Sequence, residues 1–297
     1  METFIQKYDN GSIKSKIHIK TKEDIEYGKI QYFFLNGVMS YQISYKNGAR
    51  DGKLISYYNN GNIRITSLYK NGLRNGHTNH YYENGVRKMR LFYRNDILNG
   101  KYIMYFKNGN VQSIIRFKNN LRHGKTEYFN MDGSSSIICF FKNDKLNGKL
   151  ISFYEGQLLK IVCNYRDGVI DGYERKYLFD IHKKEYILYH QLKYKQNLLS
   201  GKILFFYSNG SILMSTSYKN NKKNGLSIMY DFEGKQIYKH HYVNDILRYE
   251  FIKASKGNEC CVCYDTIHYK TKCSHYICSS CFHVLEEKKC PICRNYF

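Results

Sequence analysis

Apolar and polar residues alternate along most of the chain in short segments, each bounded by glycine, asparagine or aspartate. Residues 30–34 (IQYFF) and 102–106 (YIMYF) are two examples. Segments so rich in aromatic and β-branched residues predict short β-strands. The composition agrees, because 31 Tyr and 17 Phe accompany a single Pro. The pattern therefore predicts an all-β chain.

A ladder of glycines divides the chain into units. They stand 24 residues apart up to the seventh and resume after one longer unit: Gly28, Gly52, Gly76, Gly100, Gly124, Gly148, Gly172, Gly201 and Gly225. A fixed internal period is typical of a repeat architecture. The unit beginning at Gly172 is five residues longer, which predicts a bulged loop at 178–187. The final unit reaches Tyr249 where a glycine should close it, which predicts a cap near 245–255.

A second set of glycines keeps the same phase. They lie nine residues further on, mostly after Asn or Asp: Asn36-Gly37, Asn60-Gly61, Asn84-Gly85, Asn108-Gly109, Asp132-Gly133 and Asn209-Gly210. Such pairs tolerate the positive φ that a type I′ turn requires, and they predict tight hairpin turns. Each unit should then be a strand, a tight turn, a strand and a wider turn. About nine units predict an elongated β-hairpin meander on the order of 85 Å long.

The repeat resembles the variant form of the MORN repeat. That pattern is Gly-Lys, an aromatic pair, Asn-Gly, and then aromatic-Lys-Asn-Gly, and it is matched here by Gly52-Lys53, Tyr57-Tyr58, Asn60-Gly61 and residues 69–72. The resemblance covers about residues 1–250. It implies a protein-binding or membrane-associated scaffold and does not choose between them.

Charge and cysteine usage narrow the function classes. Net charge is +22, and residues 256–297 carry six Lys or Arg against four Asp or Glu, so about +20 lies on residues 1–255. Such a field attracts acidic protein, anionic membrane or nucleic acid. Nucleic acid is disfavoured, because no recognition motif appears and the basic residues are interpreted as spread through turns instead of clustered. With no leader or spanning segment, and eight of ten Cys in the last 38 residues, seven of them at metal-ligand spacing, we expect a cytoplasmic protein, in the host cytoplasm if the chain is viral.

Little in the repeat region indicates catalysis. Its histidines show no phase with carboxylates and no ligand spacing. Cys139 and Cys163 stand in strand-like stretches and are interpreted as small apolar fillers.

The last 38 residues carry the strongest chemical signal. Eight candidate ligands stand at metal-ligand spacing: Cys260, Cys263, Cys273, His275, Cys278, Cys281, Cys290 and Cys293. A two-residue spacer lets both thiolates of a Cys pair reach one metal, so the set predicts two tetrahedral zinc sites without an open position. The zincs would be structural, each contributing on the order of 10 kcal/mol to a segment too short for its own core.

Order and spacing resemble a RING finger at residues 260–293, as in viral and eukaryotic RING ubiquitin ligases. The resemblance implies cross-brace ligation: Cys260, Cys263, Cys278 and Cys281 would hold one zinc, and Cys273, His275, Cys290 and Cys293 the other. Two independent fingers would instead pair their ligands in sequential order.

The same resemblance assigns docking residues. RING ligases have no catalytic nucleophile and act by positioning the thioester of a charged conjugating enzyme. The matching apolar docking positions are Val262, Leu285, Pro291 and Ile292, and Arg294 matches the linchpin arginine. Leu285 stands where many members carry Trp, which keeps an apolar contact with less area. The competing interpretations are zinc-knuckle packing for Val262 and Ile292, and an exposed terminal charge for Arg294.

The sequence thus predicts a MORN-like repeat array at 1–250, a linker at 251–258 and a RING-type zinc finger at 259–297. The predicted function is ubiquitin transfer from a conjugating enzyme to a protein recruited by the repeats. The alternative is a non-catalytic zinc-binding scaffold that binds protein or anionic membrane through the repeats.

Overall fold

The computed structural model describes residues 2–154, 158–251, 260, 270–271, 281, 289 and 293–294. The described chain is all-β, as predicted, and its strands pair antiparallel. It forms two compact units. The first comprises Met1–Gly148 with Phe153–Gln157, and the second comprises Lys149–Ser152 with Leu158–Phe297.

Strands of the first unit succeed one another along the chain and pair with their sequence neighbours. They are β1 (Glu2–Lys7), β2 (Ile13–Lys22), β3 (Ile25–Phe33), β4 (Met39–Lys46), β5 (Ala49–Arg50), β6 (Gly52–Tyr57), β7 (Ile63–Lys70), β8 (Leu73–Arg74), β9 (Gly76–Tyr81), β10 (Arg87–Arg94), β11 (Ile97–Leu98), β12 (Gly100–Tyr105), β13 (Val111–Lys118), β14 (Leu121–Arg122), β15 (Gly124–Phe129), β16 (Ser135–Lys142) and β17 (Lys145–Leu146). Strand β18 (Gly148–Phe153) contains residues of both units.

The second unit continues the same hairpin pattern. Its strands are β19 (Leu159–Arg166), β20 (Val169–Asp180), β21 (Glu185–Lys195), β22 (Leu198–Leu199), β23 (Gly201–Phe206), β24 (Ile212–Lys219), β25 (Lys222–Tyr230), β26 (Gln236–Val243), β27 (Ile246–Phe251) and β28 (Lys270–Thr271). The predicted cap near 245–255 coincides in part with β27, and residues 252–255 lie outside the described residues.

The sequence predicted a tight turn at the Asn60-Gly61 type of pair and a wider turn at the end of the unit, and the structure shows the opposite arrangement. At Asn60-Gly61 only the glycine has positive φ (86°), Gly61 N donates to Tyr58 O at 2.9 Å, and the ladder shifts register between Ser56 and Tyr57. This is a three-residue loop with a bulge, not a type I′ turn. The predicted type I′ turn was wrong, because this loop requires only one residue, the glycine, in the left-handed region.

The tight turns lie instead at the end of the aromatic-Lys-Asn-Gly stretch. Asn71 and Gly72 have φ values of 49° and 83°, and the flanking residues Lys70 and Leu73 are cross-strand partners. Both central residues are left-handed, as a type I′ turn requires. Other repeats place Asn-Asp or Asn-Asn there, since short polar side chains tolerate this region. Glycine is therefore dispensable at this turn.

The 24-residue ladder of glycines marks a bulge that opens a strand. Gly76 has φ of +120°, and a Cβ built there would lie 3.1 Å from Leu68 Cδ1. Backbone conformation and close approach both require glycine at such a position. Gly28 is the exception, because its φ is not positive and β3 pairs with β4 without interruption at that point.

The longer repeat contains an extended hairpin where a bulged loop was predicted. Strands β20 and β21 pair as far as Asp180 and Glu185, and Leu178 lies opposite Ile187. The extra residues lengthen both strands, and only residues 181–184 form the turn. The prediction for 178–187 was wrong because the inserted residues (LFD and EYI) have good strand propensity.

The most buried side chains are small or medium in size and mainly share one face of the strands. They include Ser15, Ile43, Ser56, Ser67, Thr78, Leu91, Ser113, Thr126, Cys139, Cys163, Ile203, Thr216 and Ser227. Hydroxyl groups bond across neighbouring strands, at 2.6 Å for Ser67 and Thr78 and 2.8 Å for Thr216 and Ser227. These bonds satisfy polar groups that would otherwise be costly to bury.

Side chains at both turns connect each repeat to the next. The Tyr58 hydroxyl donates to Tyr81 O at 2.8 Å, and Tyr82 and Tyr207 repeat this contact in their own repeats. Asn60 has a double role, since its Oδ1 accepts from Asn62 N at 3.0 Å while its amide donates to Glu83 O at 3.2 Å. Asn is therefore better suited than Asp to this position, because only an amide can do both.

Changing Asn60 to Asp should test this double role. Asn60→Asp keeps the acceptor within the turn but removes the donor to Glu83 O, so we expect a loss of about 1 kcal/mol in the free energy of unfolding. Urea titration followed by circular dichroism measures it. Asn84→Asp is the matched control, because the Asn84 side chain accepts from Val86 N at 3.1 Å and, within the part of the chain that the structure describes, donates no hydrogen bond to the next repeat. Equal losses in both variants would contradict the proposed role of the amide donor.

Candidate functional site

Three of the eight predicted zinc ligands lie among the described residues. Cys260 is fully buried, and Cys281 and Cys293 are partly buried. None of these three cysteines forms a disulfide. The other predicted ligands lie outside the described residues; they are Cys263, Cys273, His275, Cys278 and Cys290. Within the described residues alone, no three His, Cys, Asp or Glu side chains form a group that could hold a metal ion.

The predicted docking residues are described only in part. Arg294 is exposed and has φ of 59°, directly after Cys293. The apolar docking positions Val262, Leu285, Pro291 and Ile292 lie outside the described residues. Their assignment to a docking surface stays a prediction.

A strand from the cysteine-rich segment pairs with the last strand of the repeats. Lys270 and Thr271 form β28, opposite Glu250 and Tyr249 of β27. Strand β28 stands between the predicted ligands Cys263 and Cys273. The backbone of the cysteine-rich segment therefore joins the hydrogen-bonded ladder of the repeats. The predicted linker at 251–258 lies outside the described residues, apart from Phe251 at the end of β27.

Part of the positive charge of the repeats stabilises the stacking of one repeat on another. The Arg74 guanidinium lies 3.9 Å from the ring centre of Tyr93 in the next repeat, and its Nε donates to Asp96 at 2.6 Å. This hydrogen bond lowers the pKa of the Asp96 carboxyl. Arg122 makes the corresponding contacts with Phe141 and Asp144. The Arg50 guanidinium likewise lies 5.5 Å from the Tyr69 ring centre in the next repeat, so a cation of one repeat contacts an aromatic ring of the next at several of these positions.

The two cysteines of the repeats are buried, which agrees with their interpretation as fillers. Cys139 and Cys163 are each 3% exposed. Burial, reinforced by the nearby Glu174 carboxylate, raises the pKa of Cys163 to about 11. A thiol with this pKa is protonated at neutral pH, and only the thiolate is a strong nucleophile.

One histidine and carboxylate pair was missed from the sequence. His190 Nε2 lies 3.3 Å from Glu174 Oε1, and both side chains are largely buried. The residues are 16 positions apart, and the extended hairpin of β20 and β21 brings them together. Only the pairing register, in which Lys176 lies opposite His190, could have indicated this contact.

Four segments of the chain match the family model described as the MORN repeat variant. The matched residues are 26–47, 50–71, 98–119 and 199–220. These segments are MORN repeats. Several hairpin units between them repeat the tight turn and the glycine bulge, for example at Asn95-Asp96 and Gly124, which supports a MORN-repeat array. Among curated proteins, nothing matches the chain significantly.

Solved structures give only distant similarity. The Photorhabdus luminescens Tc holotoxin pore is 14% identical, with a TM-score of 0.21, over 84% of this chain and 14% of that one. A porin-like protein from Bacteroides uniformis is 7% identical, with a TM-score of 0.19, over 79% of this chain and 92% of that one. This chain thus spans about a seventh of the length of the toxin chain, and neither alignment carries an argument about function. Among the described residues, the structure contains no helix that is long and apolar enough to span a membrane.

His80 gives the MORN array a testable pH dependence. Burial, with smaller effects of the Lys88 and Arg64 charges, lowers the pKa of His80 below its usual 6.5. At pH values between the folded-state pKa of His80 and 6.5, His80 binds a proton more readily in the unfolded chain than in the folded one. The free energy of unfolding should therefore fall as pH drops below about 6.5. His80→Gln should reduce this loss between about pH 7 and pH 5, measured as the shift in urea midpoint.

Asn79 supplies the control, since it stands beside His80 in the same strand β9 and carries no titrating group. Asn79→Gln should leave the pH dependence of the midpoint as in the unaltered chain. A pH dependence unchanged by His80→Gln would contradict the assignment.

Proposed function

We propose that this chain is a RING-type ubiquitin ligase, in which the MORN array recruits a protein target and the C-terminal zinc module positions a charged conjugating enzyme. The observation that carries the proposal is the spacing of eight metal ligands between Cys260 and Cys293. The MORN repeats support the proposed recruitment of a protein target, because a stack of hairpins offers an extended binding surface.

The donor set suits zinc. Seven cysteines and one histidine provide the thiolate and imidazole ligands that tetrahedral Zn²⁺ prefers. In this proposal Cys260, Cys263, Cys278 and Cys281 would hold one ion, and Cys273, His275, Cys290 and Cys293 the other. Bound zinc would supply cross-links that fold the module.

The chemistry would be performed by positioning. Val262, Leu285, Pro291 and Ile292 would form an apolar patch for the conjugating enzyme, and burial of such anchors supplies most of the affinity at small interfaces. Arg294 is exposed, so its planar guanidinium is available to bridge carbonyl groups of the enzyme and ubiquitin with paired hydrogen bonds. Holding the thioester in one reactive geometry would accelerate attack by a target lysine.

The pairing of β28 with β27 supports a short distance between the last MORN repeats and the proposed zinc module. Because β28 pairs with β27, the cysteine-rich segment is joined to the end of the MORN array by backbone hydrogen bonds. A target held by the last repeats would then lie close to the zinc module. The MORN array would in this way help to determine which lysines are modified.

Ubiquitin transfer tests the proposal directly. The purified, zinc-loaded chain is incubated with ubiquitin, activating enzyme and a panel of conjugating enzymes, and autoubiquitination is followed on gels. Val262→Ala and Arg294→Ala should each reduce chain formation at least tenfold, since one weakens docking and the other positioning. Cys290→Ser should abolish it by removing a zinc ligand.

Two controls are included: the zinc content of each variant tests folding, and a variant of a distant lysine tests the effect of charge alone. Val262→Ala and Arg294→Ala should retain two zinc ions per chain by atomic absorption, which separates loss of function from loss of folding. Lys222→Ala, an exposed cation of β25, should retain full activity. Two bound zincs without ubiquitin chains, across the whole panel, would instead support the non-catalytic scaffold.

A further inference from the structure

Strand β2 carries a row of basic residues on one face. Its sequence, IKSKIHIKTK, alternates without exception between basic residues and apolar or small residues. The basic positions are Lys14, Lys16, His18, Lys20 and Lys22. Alternate side chains of a strand share a face and lie about 6.7 Å apart. The opposite face carries the buried Ser15, 4% exposed, so the basic side chains occupy the solvent face.

Neighbouring strands extend this face. Lys29 of β3 lies opposite His18, Tyr27 lies opposite Lys20, and Lys46 of β4 lies opposite Tyr27. Directly opposed residues have side chains on the same face. The contacts agree, because Lys46 Nζ lies 5.8 Å from the Tyr27 ring centre. We call the surface formed by the five basic residues of β2 with Tyr27, Lys29 and Lys46 the cationic face.

A concavity lies within the cationic face. It has a volume of about 480 Å³, and its lining includes His18, Lys20, Tyr27, Lys29 and Lys46. Strand pairing is uninterrupted here because Gly28 lacks the bulge found at the other closing glycines. The Tyr27 side chain is 43% exposed. A planar group entering the concavity would therefore meet an aromatic side chain surrounded by cations.

Little negative charge opposes these cations. The remaining positions of this face on strands β1, β3 and β4 carry no acidic residue; they are Thr3, Ile5, Lys7, Ile25, Gln31, Phe33, Ser40, Gln42 and Ser44. Two carboxylates lie at its margins. Asp51 also lines the concavity, and its Oδ2 accepts from Asn71 N at 3.1 Å. Glu23 lies 3.7 Å from Lys22, and both are exposed to solvent, where such a pair is weak.

We propose that the cationic face binds single-stranded nucleic acid. A line of cations follows a phosphate backbone, and adjacent exposed aromatic side chains stack on bases irrespective of sequence. Phe33 provides a second aromatic group, with Lys16 Nζ 5.7 Å from its ring centre. An acidic peptide would pair with the cations, but its carboxylates give Tyr27 no aromatic ring to stack on. An anionic membrane would likewise meet the cations through headgroups that do not stack on Tyr27.

This proposal reverses the expectation from sequence that nucleic acid is disfavoured. That expectation assumed that the basic residues are distributed through turns. In the first unit, five of them instead occupy alternate positions of one strand. The proposal is independent of the proposed ligase activity, since it involves only strands at the beginning of the MORN array.

Fluorescence anisotropy tests the binding. The full zinc-loaded chain is titrated into a labelled oligothymidylate of about 12 nucleotides, a length within the usual single-strand site size, at several salt concentrations. Combining Lys16→Gln, Lys20→Gln and Lys29→Gln should weaken binding at least tenfold. The slope of log affinity against log salt should decrease by about 2, since single strands lose about 0.7 per phosphate contact.

Matched variants separate this site from general charge attraction. Combining Lys195→Gln, Lys219→Gln and Lys222→Gln removes three exposed cations from the second unit and should change affinity less than about threefold. Tyr27→Ala should weaken binding about tenfold and Tyr27→Phe should not, because stacking needs only the ring. Circular dichroism confirms that each variant is folded.

Three results would overturn the proposal. The first is an equal loss of oligonucleotide affinity in the two triple variants, and the second is an affinity that Tyr27→Ala leaves unchanged. The third is binding of phosphatidylserine vesicles or polyglutamate in preference to the oligonucleotide. Each would show that the cationic face acts through its net charge or on another class of anion.

Discussion

Hydrogen bonding from each repeat to the next is the interaction on which the MORN array depends. A single hairpin of this length buries one narrow face of Ser, Thr, Cys, Ile and Leu side chains, which is too small for an independent core. Stability must therefore come from contacts between units. The Tyr58 hydroxyl, the Asn60 amide and the Arg74 guanidinium each reach the next repeat, from both ends of the hairpin. Each contact also explains why its residue type recurs at the same phase.

The contacts between repeats account for part of the positive charge of the chain. Arg74 and Arg122 stack on aromatic rings and bond to Asp96 and Asp144, so part of the charge serves the fold. Among the described residues, the Lys side chains of β2 have no comparable carboxylate partner on a neighbouring strand. Their charge is therefore available to an external anion. Net charge alone could not separate these two roles, because each contributes equally to the total.

The two proposals divide the chain by function. The cysteine-rich segment would supply a positioning module, and strand β28 attaches it to the last strand of the MORN array. The first strands would supply a surface for a polyanion. Both proposals concern binding and positioning, which agrees with the buried, protonated thiol at Cys163 and with a repeat architecture whose recurring residues serve the fold. A nucleic-acid surface in the same chain as a ligase module would let a bound strand influence which targets the chain encounters.

The sequence by itself determined the repeat, its period and its strand content, since glycine bulges, left-handed Asn residues and strand alternation are local requirements of the backbone. It also determined the ligand order of the zinc module, although five ligands lie outside the described residues and the metal sites stay a prediction. The structure decided which turn is tight, because Asn60-Gly61 and Asn71-Gly72 look alike in sequence and differ in how many residues adopt positive φ. It also decided that Glu174 meets His190 and that Tyr27 lies among lysines of three strands. These contacts depend on pairing register across strands, which local sequence does not encode.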